Sequence, residues 1–111
     1  MVAWESAEPT RAEPEQSVRG LELGVAFPNP VNPSVQIPFS VPVGGAEVRI
    51  RVYNTAGQLI RTLFDGSVGS GEYHVTWDGR DAEGRLAASS VYFYRMESGR
   101  RATSRKLTLL R

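Results

Sequence analysis

One alternating run followed by an Asn-Thr-Ala-Gly turn commits the middle of this chain to β-structure. Along Glu47-Val48-Arg49-Ile50-Arg51-Val52-Tyr53 apolar and charged residues take turns. A strand points successive side chains to opposite faces, so Val48, Ile50 and Val52 share one face while Arg49, Arg51 and Tyr53 share the other. One face is core and the other meets water. Asn54 opens and Gly57 closes the next four residues, the composition of a type I turn ending in a left-handed glycine. The chain is therefore predicted to return over 58–64 as the partner strand.

The same grammar recurs on both sides. In Phe27-Pro28-Asn29-Pro30-Val31-Asn32-Pro33 three residues precede a proline, and each is pushed toward extended geometry by the ring that follows. Val35 to Val41 alternates, with Pro38 unable to donate to a ladder and hence expected on an edge strand or at a bulge. Pro42, Gly44 and Gly45 turn the chain, as do Asp65-Gly66 and Gly69-Ser70-Gly71 further on. Glu72 to Trp77 directs Tyr73, Val75 and Trp77 inward and His74 and Thr76 outward. Residues 78–85 form a polar loop, and Ser90 to Met96 is apolar on both faces, as a central strand is. Arg101 to Leu110 is the last strand, carrying Leu107, Leu109 and Leu110. Six strands result, or seven if Leu21 to Phe27 pairs, with no amphipathic helix between them. The predicted fold is all-β, an immunoglobulin-like antiparallel β-sandwich over residues 21–111. Residues 1–20 hold Pro9, Pro14 and four Glu with no period that buries a face, which reads as a disordered linker.

Composition removes most chemistry. The 111 residues include no Cys and one His, so disulfides, thiol nucleophiles, thiolate zinc sites and two-His metal sites are excluded. No apolar stretch approaches the ~18 residues of a membrane helix, and Met1 to Gln16 has no apolar core of a signal peptide. If the protein is exported, its export signal is expected elsewhere or upstream. The formal charge is +1, but residues 98–111 carry Arg100, Arg101, Arg105, Lys106 and Arg111 and no acid.

Three constellations invite chemistry. Asp78, Asp81 and Glu83 offer oxygen ligands of the kind Ca²⁺ takes, although the spacing is not that of an EF-hand. The favoured reading gives Asp78 and Asp81 to Asx-type turns. His74 has no Ser or Asp at a spacing suited to a triad and reads as an exposed strand residue. The basic end together with Tyr92-Phe93-Tyr94 has the ingredients of single-strand nucleic-acid binding, but in a β domain such rings are core. No catalytic residue, metal site or cofactor is assigned, and the chain is expected not to be an enzyme and not to bind nucleic acid.

The run from Leu23 through Phe27-Pro28-Asn29-Pro30 to Ser34, then Val52 to Gln58, Gly71 to Asp81, Val91 to Met96 and Lys106 to Arg111 resembles, in that order, the type A C-terminal sorting domain of the bacterial type IX secretion system. It is also similar to the immunoglobulin-like domain of the flagellar hook-capping protein. The resemblance implies a cargo address: a sandwich at the end of an exported protein, recognised by an outer-membrane secretion translocon and cut by sortase-like processing machinery, with an upstream passenger domain. The implied location is secreted or cell-surface, by way of the periplasm. Pro28, Asn29 and Pro30 match the opening motif, Gly71 the glycine before the fourth strand, and Lys106, Leu107, Leu109 and Leu110 the closing strand. Ser90 stands where the family usually has Gly, and Val31 where Phe is common. A last strand of this kind is readable by strand addition at a sheet edge. The second reading is an immunoglobulin-like structural or adhesive domain of hook-capping or surface-protein type.

Overall fold

The computed structural model describes residues 10–13, 20–28 and 34–110. Its strands are β1 (Thr10–Glu13), β2 (Glu22–Leu23), β3 (Val35–Val41), β4 (Ala46–Tyr53), β5 (Leu59–Val68), β6 (Gly71–Trp77), β7 (Ser90–Ser98) and β8 (Arg101–Leu109). They form two antiparallel sheets, ordered β1-β6-β3-β2 and β5-β4-β7-β8. Seven strands from Glu22 onward make the predicted sandwich. The eighth lies within the stretch expected to be a linker, where Thr10–Glu13 pairs with β6. The rest of 1–19 lies outside the described residues.

The core sits between the inner faces. Val48, Ile50 and Val52 meet Val35, Ile37, Phe39 and Val41 from the other sheet, with Trp77, Tyr92, Tyr94 and Met96 among them, all buried. The β4–β5 turn is as expected: the Gly57 N–H donates to the Asn54 carbonyl at 3.0 Å and Gly57 has φ +84°. Asn54 Oδ1 further accepts the amides of Ala56 and Gln58.

One turn is misplaced by the sequence. Asp65 and Gly66 lie inside β5, paired with Arg49 and Val48. Because β4 begins as early as Ala46, its partner continues to Val68, and the ladder absorbs the local turn signal. Register shifts fall at Ile60 and Leu63, and an extra residue at such a point turns two neighbours the same way. Leu63 and Phe64 are accordingly both buried.

Pro38 is tolerated for a related reason. It pairs with His74 of β6, while its carbonyl accepts the Gly24 N–H on the other side at 2.8 Å. The N and C=O of one strand residue point the same way, so its donorless nitrogen faces the flank where β2, which stops at Leu23, no longer needs a partner.

Candidate functional site

Three of the residues singled out by resemblance, Lys106, Leu107 and Leu109, fall on the last strand. Among the described residues β8 pairs only with β7, from Ser98↔Arg101 to Ser90↔Leu109, and closes one edge of its sheet. Leu107 and Leu109 are fully buried, whereas Lys106 is exposed and pairs with Phe93, itself 38% exposed. Leu110 lies just beyond the strand and is 52% exposed. The closing motif is thus half core and half surface: the two buried leucines fix the strand, and Lys106, the chain's only lysine, stands out from it.

Ladder parity shows which peptide groups of β8 face away from β7. Asn54 N–H donates to Gln58 of the β5 side, so even-numbered β4 residues bond toward β5 and odd-numbered ones toward β7. Carried through the registers Arg51↔Arg95 and Tyr94↔Arg105, the alternation aims the odd-numbered β8 residues at β7 and Ala102, Ser104 and Lys106 outward. The Gly99-Arg100 connection agrees. It is a two-residue hairpin with Gly99 at φ +60°, as a type II′ turn requires.

Gly71 and Pro28 lie elsewhere. Gly71 opens β6 opposite Val41 with φ +143°, a conformation that favours glycine. Pro28 is exposed and follows Phe27, which bridges to Gln36. By register Pro28 belongs to the same end of the sandwich as Leu109, since Val35 pairs with Trp77, whose ring meets Tyr92, and Tyr92 pairs with Leu107. Gly71 belongs to the opposite end. Asn29, Pro30 and Arg111 lie outside the described residues.

A strap joins β2 and the residues just after it to the last two strands. The buried Tyr94 hydroxyl accepts the Ala26 N–H and donates to the Gly24 carbonyl, both at 2.8 Å. Burial pushes its pKa up, against the Ala26 hydrogen bond and the Arg105 charge. Arg105 Nε donates to the Leu23 carbonyl at 2.8 Å. Tyr92 donates to the Ala88 carbonyl four residues back at 2.6 Å, the tyrosine corner known from immunoglobulin sandwiches. The aromatic run is therefore largely core: Tyr92 and Tyr94 are buried, and only Phe93 between them is open.

The acidic loop is organised by its own turns. Asp78 Oδ1 accepts the Arg80 N–H at 3.1 Å, and Asp81 Oδ1 accepts those of Glu83 and Arg85 at 2.9 Å. The Asp81 pKa is lowered, first by the Arg85 backbone bond, against a smaller effect of burial. Beneath it lies a residue that sequence reasoning missed. Arg61 is 7% exposed and donates to Asp78 Oδ1, the Arg80 carbonyl and the Asp81 carbonyl at 3.1, 3.2 and 3.4 Å. The available signal was a cation between Leu59 and Leu63 in the period-two frame. Trp77 Nε1 also donates to the Arg80 carbonyl, at 2.9 Å, and the Ala82 N–H donates to the Ile60 carbonyl on the β5 edge.

On the outer face of the second sheet, Glu97 takes Arg95 at 2.9 Å, Arg51 at 3.0 Å and Arg49 at 3.4 Å. Burial raises its pKa, but the Arg51 hydrogen bond and the three positive charges prevail and hold the carboxyl below its ordinary value. His74 is half-buried on the outer face of the first sheet, in a groove shared with Glu22, Ser40 and Glu72. Among the described residues no cluster of three acids or histidines suits a metal, and no helix is long and apolar enough to cross a membrane.

A family model described as the FlgD Ig-like domain matches residues 33–101. Among solved structures, the chain is similar to the dimeric latent PorU of Porphyromonas gingivalis, with TM-score 0.66 and 20% identity over 81% of this chain and 9% of that one. It is similar to PorZ of the same organism, described as an essential bacterial surface component of the type-IX secretion system, with TM-score 0.52 and 20% identity over 83% and 12%. FlgD from P. aeruginosa follows with TM-score 0.53 and 19% identity over 68% and 59%. The chain thus spans about a tenth of the PorU and PorZ chains and less than two thirds of the FlgD chain. At these identities the likeness is one of fold. A comparison with curated proteins gives no match.

Proposed function

We propose that this chain, which belongs to the FlgD Ig-like domain family, is a non-catalytic C-terminal sorting module that directs an exported passenger through the type IX translocon to the cell surface. The observation that carries the reading is β8, an edge strand whose Leu107 and Leu109 are locked in the core while Lys106 and Leu110 stand exposed. Such a strand is held in one register and still presents side chains to a receptor. Likeness to a domain-sized part of PorU and of PorZ, the latter a component of that secretion system, supports the reading. Its partners are then the outer-membrane translocon, the sortase-like processing machinery and an upstream passenger.

The test is export of a reporter fused ahead of this chain in a host with a type IX system. Deletion of residues 106–111 abolishes export. Because that deletion also removes two core leucines, Lys106→Ser with Leu110→Ser supplies the fold-preserving arm, and export drops at least tenfold. Undiminished export of both variants refutes the proposal. It would favour the second reading, an immunoglobulin-like structural or adhesive domain, which the FlgD family match itself supports.

A further inference from the structure

We infer that the outer edge of β8 from Ala102 to Lys106 is a docking site for an extended segment that alternates carboxylate and β-branched apolar side chains and adds to the sheet as a fifth strand. The inference rests on the reading of β8 as the recognised strand and supplies the chemistry of what recognises it.

Peptide groups of β8 that have no ladder partner among the described residues provide the first argument. Ala102, Ser104 and Lys106 aim their N–H and C=O away from β7, and all three residues are exposed. An edge of this kind is a template for another strand unless it is covered. The opposite edge of the same sheet, β5, is interrupted by two register shifts, and the Ala82 amide caps it at Ile60. In the other sheet the terminal strands are short, four residues in β1 and two in β2.

Charge and shape then specify the occupant. Among the described residues of β8, Lys106 is the cation on the face of Phe93, while Arg105 on the other face already donates to the Leu23 carbonyl. On a strand added beside β8, one set of side chains shares the face of Lys106 and Phe93. The alternate set shares the face of Thr103 and Arg105, which line a groove of about 540 Å³ with Leu21, Leu23, Phe27 and Pro38. Phe27 is 51% exposed there, so apolar side chains suit this face. Glu22 and Glu72 also border the groove and disfavour carboxylates on it. Acids therefore belong on the Lys106 face. Main-chain bonds supply the affinity and the alternating side chains the selectivity, since a single exposed ion pair contributes little.

The probe is a capped seven-residue peptide of alternating glutamate and valine, compared at low ionic strength with its lysine-valine counterpart on the full chain. Backbone amide exchange and NMR shifts are read residue by residue. Saturating acidic peptide slows exchange at Ala102, Ser104 and Lys106 at least tenfold, the basic peptide does not, and Lys106→Glu reverses the preference. Absence of slowing at millimolar acidic peptide, equal response to both peptides, or protection located at β5 instead overturns the inference. A peptide failure beside abolished export of the deletion variant removes strand addition and leaves the sorting role standing. The converse pair of results removes the sorting role alone.

Discussion

Trp77→Ala destabilises the domain by about 3–5 kcal/mol, the cost of truncating a large buried aromatic. Trp77 is 0% exposed, packs edge-on against Tyr92 with ring centroids 5.3 Å apart, and donates to the Arg80 carbonyl. Alanine leaves a cavity between the sheets and removes a side-chain donor that holds the loop after β6. At roughly 4–8 °C per kcal/mol for a domain of this size, the thermal midpoint falls by more than about 10 °C. A cooperative transition near the parent midpoint contradicts this placement of the core.

Arg61→Met is the second large effect. Methionine keeps much of the apolar stem but removes the charged donors to Asp78 and to the Arg80 and Asp81 carbonyls. Hydrogen bonds made by charged groups contribute about 1.5–3 kcal/mol. Asp78 is half exposed and rehydrates, so the loss concentrates in the loop. Amide exchange at Ala82 and Ala87, which bond to the Ile60 and Gly79 carbonyls, accelerates at least tenfold. Lys at position 61 does not restore protection, because a single ammonium lacks the planar fork that reaches several acceptors. Unchanged protection at both alanines places the loop's anchor elsewhere.

These two residues mark the limits of reading the fold from sequence. Trp77 was legible because the period-two alternation of Tyr73, Val75 and Trp77 is local. The β4 face and its Asn54–Gly57 turn were legible for the same reason. Arg61 was not, since its partners lie 17 to 20 residues away on a loop whose path follows from the fold. Asp65-Gly66 carried a turn signal that the length of β4 overrode. The candidate site divides along the same line. The leucines of the closing strand were readable as an alternating run. The strap from Leu23 and Gly24 to Arg105 and Tyr94 joins residues 70 and more positions apart and left no local pattern.

The strap also bears on how β8 is displayed. With Tyr94 of β7 and Arg105 of β8 both bonded to the segment entering the first sheet, the last two strands are held from their inner face while the Ala102, Ser104 and Lys106 peptide groups face away from β7. A receptor then meets a preorganised edge, which lowers the ordering cost of binding.

The most direct measurement of the central claim is transfer. A reporter that carries a leader peptide and normally stops in the periplasm is fused ahead of residues 1–111 and expressed in a host with a type IX system. The account predicts surface or extracellular reporter that depends on the translocon. Retention of the intact, folded fusion in the periplasm contradicts it.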